Sequence, residues 1–228
     1  MVIAIDGPSG AGKSTLAKRL ARDLGFTYLD TGAMYRALAL KILRQSIALN
    51  DVEMMGAIVA KTEIDLKGQN GHMQVLLDGE DVSSLIRTPE VSQMASKVSA
   101  LKVVRQRMLD LQRSLGNRGN VVAEGRDIGT VVFPEAEVKV YLDASAQERG
   151  RRRYAELRGG GQKVDLAETI REMQERDKRD SERDVAPLRK AEDAVAIDSS
   201  ALPPEAVAER VLQIIREKAC KNQKRSEL

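Results

Sequence analysis

The chain opens with a short apolar run, Val2-Ile3-Ala4-Ile5. A continuous run of this kind predicts a strand buried on both faces of a parallel sheet. Leu16, Leu20 and Leu24 then recur at every fourth position, the stripe of an amphipathic helix, and Gly25 is its expected stop. "FTYLD" reads as a second strand and "TGAMYRALALKILRQ" as a second helix. "NVVAE", "VKVYLD" and "AVAID" are further strands, alternating with helical stretches. That alternation predicts an α/β fold with a parallel sheet. One region breaks it. Asn70-Gly71 and Asp78-Gly79 are hairpin dipeptides between strand-like runs, so an antiparallel insertion is expected from about 62 to 88. "RGGGQKVD" (158–165) predicts a joint between two arginine-rich helices. The tail "REKACKNQKRSEL" reads as frayed.

Composition sharpens this picture in a few places. A length of 228 residues suits one compact domain with insertions. Aromatics are only 3% of the residues, so the core must be aliphatic and base stacking on aromatic platforms is not expected. The single cysteine, Cys220, excludes a disulfide framework and a four-cysteine zinc site. The chain shows no membrane-length apolar run and no signal-peptide pattern at its start. A cytoplasmic protein with no membrane or nucleic-acid partner is expected. The net charge of +3 is small, but the basic residues cluster in "ERGRRRYAELR" and "QERDKRDSERD". Such clusters suit either a salt-bridged helix surface or a polyphosphate clamp.

"GPSGAGKST" supplies the first chemistry. Gly7, Pro8, Ser9, Gly10, Ala11, Gly12, Lys13 and Ser14 match the phosphate-loop pattern in full, between a buried strand and an amphipathic helix. The glycines let successive N–H groups turn toward phosphate oxygens, and the helix N-terminus adds its dipole. Lys13 is expected on the β and γ phosphates of ATP, Ser14 on Mg²⁺, and Thr15 beside them. The loop says nothing of the acceptor. The guanine-reading N-K-x-D of a regulatory GTPase is missing, as is the Asp-Glu strand end of an ATPase motor. At helical spacing, Arg176, Arg179, Asp180 and Arg183 share one face. That face suits a phosphorylated sugar, but spacing supports an ion-paired surface helix equally well. A small-acceptor kinase and a non-enzymatic nucleotide-binding module both remain open on these residues.

"DTGAMYR" (30–36), "EGRDIGTVVFP" (124–134) and "RDKRDSERDVAPL" (176–188), with the loop at 7–15, closely resemble the signature segments of the bacterial cytidylate kinase family. They run in the family's order, and the likeness extends from residue 2 to about 215. The resemblance implies an adenylate-kinase-like fold, with a five-stranded parallel core, a monophosphate-binding subdomain and a lid. It implies transfer of the γ-phosphoryl group of ATP to CMP or dCMP, with Mg²⁺, by a monomer. The core then spans 1–31, 104–146 and 184–228, the acceptor subdomain 32–103, and the lid with its arginine helix 147–183.

The resemblance also carries roles. Thr31, where many relatives have serine, and Arg36 match monophosphate-holding positions. Arg126 matches a phosphate-binding arginine and Asp127 a cytosine-binding carboxylate. Ser96 and Arg105 match base contacts, Arg176 and Asp180 ribose contacts, and Arg183 a phosphate contact. Lys13, Arg126 and Arg183 are the expected catalytic charges. Arg151, Arg152, Arg153 and Arg158 fall where the lid would cover ATP, with Arg153 taken as the ATP contact. An ionised Asp127 accepts from cytosine's amino group but repels uracil's carbonyl, so a preference for CMP over UMP is expected. A competing role for Asp127 is the N-cap of the helix after "NVVAE". His72, expected in a hairpin turn, is given no catalytic part.

Overall fold

The structure is a computed structural model that describes residues 1–69 and 72–226. Its frame is a five-stranded sheet of β1 (Val2–Asp6), β2 (Thr27–Asp30), β6 (Val121–Gly125), β7 (Val138–Asp143) and β8 (Val195–Asp198), in the order β2-β6-β1-β7-β8. Every pairing in it is parallel, with Ile3 beside Val122 on one side and Val138 on the other. The chain crosses from β1 to β2 one way and from β6 to β7 the other. The carboxyl ends of β1 and β6 therefore frame the crevice where α/β sheets take their ligands.

Helices cover both faces. Ile3 and Ile5 pack with Leu16 and Leu20 of α1 (Lys13–Leu24) and with Val207, Val211 and Ile215 of α8 (Pro204–Ser226). Ala4, Leu29 and Ala123 turn the other way, toward Met34 and Leu38 of α2 (Thr31–Arg44) and Val104 and Met108 of α5 (Lys102–Gly116). The largest fully buried side chains are all isoleucine, leucine or methionine, as the aromatic-poor composition requires. Gly25 ends α1 as expected. The tail expected to fray instead continues α8 to Ser226, because no proline or glycine interrupts it after Pro204.

The insertion folds as β3 (Ile64–Gln69), β4 (His72–Leu77) and β5 (Glu80–Asp81), all antiparallel. Asn70-Gly71 lies outside the described residues. Asp78 and Gly79 both take positive φ, 50° and 87°, the backbone of a type I′ turn. His72 is not in a turn but at the start of β4, opposite Gln69. Between β2 and the sheet's return lie α3 (Val52–Ala60), α4 (Pro89–Val98) and α5. The arginine-rich pair is α6 (Ala146–Gly159) and α7 (Leu166–Glu182), joined where "RGGGQKVD" predicts a joint.

Candidate active site

β1 delivers the chain to Gly7, whose φ is 150°. A Cβ there would lie 1.9 Å from the Leu142 carbonyl oxygen, so only glycine lets the loop pass against β7. The loop then curls into α1. Lys13 is 6% exposed, and its Nζ donates to the Pro8 carbonyl at 2.6 Å, folded across its own loop. Burial, followed by the positive charge of Arg126, pulls its pKa down to about 7. Ser9, Gly10, Gly12, Lys13, Ser14 and Thr15 form one wall of a cleft of about 540 Å³. Ala11 faces an adjoining cavity of about 510 Å³, which meets the cleft at Gly12, Thr15 and Arg152.

The opposite wall comes from three places. Asp30 and Arg36 arrive at the start of α2, Glu124 and Arg126 at the end of β6, and Arg176 from α7. Arg126 Nε donates to Asp180 Oδ2 at 2.9 Å, and Arg176 Nε stands 4.0 Å from the same oxygen. Arg36 Nη2 donates to Asp30 Oδ2 at 3.3 Å. The Nε groups of Arg36 and Arg176 are buried with no acceptor among the described residues. Buried guanidinium donors without partners suit an anionic ligand. Thr31 stands behind this wall, its hydroxyl donating to the Glu124 carbonyl at 2.7 Å.

A second group is closed to the cleft. Asp127 is 5% exposed, and it accepts from Arg105 and, at 3.3 Å, from Arg183. Arg105 also donates to the Ser99 carbonyl and lies 5.8 Å over the Tyr35 ring. Ser96 Oγ is buried nearby in the fold without a hydrogen-bond partner. Burial pushes the Asp127 pKa up, against the opposing pull of Arg105 and Arg183.

Two expectations are corrected here. Asp127 precedes the single π turn Ile128–Val132, but its side chain makes no cap bond. Asp6 does that work: its carboxylate accepts from the N–H of Ile128 at 2.8 Å and of Gly129 at 2.7 Å. Arg183 lies beyond α7, with extended backbone (φ −64°, ψ 142°), and reaches Asp127 from there. Helical spacing therefore does not place it on the face of Arg176. Arg179 stays within α7 and donates to Gln93 of α4 at 2.9 Å.

The lid arginines separate by their partners. Arg152 and Arg153 line the cleft. Arg152 also donates to the Ser199 carbonyl at 2.7 Å, and Arg153 to Glu156 at 2.8 Å. Arg151 is exposed, and Arg158 rests on Tyr154. Sequence reasoning missed Glu124, Asp30, Tyr28 and Arg87. Glu124 and Asp30 stand inside the quoted "EGRD" and "DTGAMYR", so their motifs were in view. Tyr28 donates to Glu124 and has no motif of its own. Burial and then the charge of Asp30 raise the Glu124 pKa.

A family profile described as cytidylate kinase matches residues 3–217. The chain belongs to the cytidylate kinase family. It is 55% identical over 218 residues to the cytidylate kinase of Syntrophotalea carbinolica, covering 96% of this chain and 93% of that protein. It is 51% identical to the cytidylate kinase of Carboxydothermus hydrogenoformans, covering 96% of this chain and 98% of that one. A bifunctional pantoate ligase/cytidylate kinase of Synechococcus elongatus is 48% identical over 95% of this chain and 42% of its own length. Among solved structures, an uncharacterized protein from Eubacterium ventriosum shares the fold at a TM-score of 0.51 and 13% identity, over 95% of this chain and 98% of its own. The motifs that carry the cytidylate kinase resemblance are those that wall the cleft.

Proposed function

We propose that the protein transfers the γ-phosphoryl group of ATP to CMP or dCMP, giving ADP and CDP or dCDP. The observation that carries this reading is convergence: the phosphate loop with Lys13 faces Arg36, Arg126 and Arg176 across one cleft. A triphosphate and a monophosphate meeting there would find cations on both sides. The acceptor oxygen is already anionic, so the protein must position and neutralise rather than supply a nucleophile. Lys13 and Arg126 would share that charge, with Arg153 on the donor side, and Arg183 would join them by giving up its bond to Asp127. Thr31, Arg36, Arg176 and Asp180 would hold the acceptor's phosphate and ribose. Ser96, Arg105 and Asp127 would read its base, which requires Asp127 to exchange a guanidinium partner for the cytosine amino group.

The adjoining cavity suits the donor's base and ribose. Leu16, Leu142, Leu202, Pro203 and Val207 line it, with Arg152 at its mouth. The chain divides by this reading into a core of 1–31, 104–146 and 184–228, an acceptor subdomain of 32–103 and a lid of 147–183.

Mg²⁺ fits beside Ser14. That hydroxyl lies on the first turn of α1 in the cleft, which Glu124 and Asp30 also line. Among the described residues no cluster of three or more His, Cys, Asp or Glu could hold a metal alone. The ion would thus take most of its ligands from phosphate oxygens and water, as Mg²⁺ ordinarily does with nucleotides. When bound, it supplies neutralisation of phosphate charge. Phosphorus NMR of a mixture of ATP, CMP, Mg²⁺ and protein tests the reading. ADP and CDP resonances must grow together and only when CMP is present; ADP and inorganic phosphate alone would contradict it.

A further inference from the structure

The tip of the phosphate loop is held by an ion pair from the two lid helices. Arg149 of α6 and Asp177 of α7 pair directly. Asp177 Oδ1 accepts from the Ser9 N–H at 3.1 Å, and Arg149 Nη1 donates to the Ser9 carbonyl at 3.0 Å. The two backbone polar groups of one loop residue are therefore gripped by the two halves of one salt bridge. Arg149 is anchored in turn, its Nε donating to the Ala144 carbonyl at 2.9 Å. The next residue is in equally close contact. A Cβ on Gly10 would lie 2.7 Å from Met173 Cε and 2.9 Å from the Arg149 carbonyl oxygen.

The sequence around Asp177 gives this grip a second consequence. Arg176 and Asp180 lie on the same turn of α7, and both stand at Arg126 on the acceptor wall. One helical turn thus touches the donor loop through Asp177 and the acceptor wall through its neighbours. At about 1.5 Å rise per residue, Arg176, Asp177 and Asp180 lie within about 6 Å along one helix, so a shift of that turn moves both contacts.

We infer that Arg149 and Asp177 are positioning residues that couple the two nucleotide sites: a nucleoside monophosphate held by Arg176 and Asp180 sets α7, and the pair carries that setting to the Ser9–Gly10 peptide. This rests on the two-nucleotide reading of the cleft. Acceptor binding then tightens the donor, and by linkage the donor tightens the acceptor by the same factor.

The test is a calorimetric titration with a non-hydrolysable ATP analogue and Mg²⁺, with and without saturating CMP. The reciprocal CMP titration accompanies it. The wild-type protein should bind the analogue about 5-fold or more tightly when CMP is present, within the ordinary range of coupling. In Asp177→Asn, which keeps the acceptor for Ser9 but loses the charge paired with Arg149, that factor should fall to below about 2-fold, while CMP alone binds within about 2-fold of wild type. Arg149→Lys, which keeps the charge but cannot serve Ser9, Ala144 and Asp177 together, should behave alike and serves if the first variant does not fold. A purely structural clamp would lower the melting temperature and leave the factor untouched, which overturns the inference. A wild-type factor of one overturns it as well. If CMP does not bind the wild-type protein at all, the two-nucleotide reading itself has failed.

Discussion

Arg126, just past the end of β6, donates to Asp180 on α7 at 2.9 Å, joining the sheet to that helix across the wall of the cleft that faces the phosphate loop. Burial works to raise the Asp180 pKa, but the guanidiniums of Arg126, Arg176 and Arg183 outweigh it and hold the carboxyl below its ordinary value. Its ionised form is thereby stabilised by the fold. That contribution is present above the unfolded-state pKa and is lost as pH falls through the folded-state value. Asp180→Ala should cost about 3 kcal/mol at neutral pH, because it leaves Arg126 buried without its partner. Urea denaturation should show the gap to wild type closing below about pH 4, as the wild-type carboxyl itself becomes neutral. A gap that is constant with pH would contradict the pairing.

Lys13 tests the donor side. It is buried, and its charge is opposed by that burial and by Arg126. Lys13→Ala should lower kcat by about 100-fold or more, the usual scale for a lost charge contact to a transferring group. Removing a disfavoured buried cation should leave the melting temperature unchanged or raise it. Near-normal turnover in this variant would remove Lys13 from the mechanism.

Asp127 is the residue proposed to read the base. Burial raises its pKa against the opposing pull of Arg105 and Arg183, and its ionised form is the one that accepts from an amino group. Asp127→Asn presents a donor as well as an acceptor, and its amide N–H should donate to uracil's carbonyl. The ratio of kcat/KM for CMP to that for UMP should fall at least about 10-fold, since a site loses selectivity when its specific polar group is altered. An unchanged ratio would assign the base elsewhere.

Asp6 predicts a pH dependence of opposite sign. Burial is the main cause that pushes its pKa from 3.8 up to about 6, despite two backbone N–H bonds that favour the charged form. A carboxyl raised in the folded state contributes most below its unfolded pKa, and that contribution is lost as pH rises through the folded value. The window is therefore about pH 4 to 6, and the rise corresponds to about 3 kcal/mol. Asp6→Asn should flatten the decline in stability across that window. Parallel profiles for the two proteins would count against it.

Much of this was legible in the chain because local patterns carry it. The apolar run at Val2–Ile5, the stripe of Leu16 and Leu20, and the Asp78-Gly79 turn each respond to short-range physics, and each is found where expected. The cleft's main cations were legible because their motifs are contiguous. What escaped depends on distance in sequence. Asp6 reads as a strand end, yet it caps a turn that begins at Ile128. Asp177 meets Ser9 across most of the chain, with no spacing to announce it. Arg183 falls off the helix its spacing predicts, since α7 ends at Glu182 before the segment turns toward Ala186. The self-pairing of Arg105, Asp127 and Arg183 likewise belongs to the fold, because three separate elements supply its members.

Initial rates with Mg-ATP and a panel of CMP, dCMP, UMP, AMP and shikimate are the most direct test of phosphoryl transfer between ATP and a cytosine monophosphate. CMP or dCMP should be consumed with a kcat/KM well above that of every other acceptor. Comparable rates with UMP, or faster use of AMP or shikimate, would contradict it.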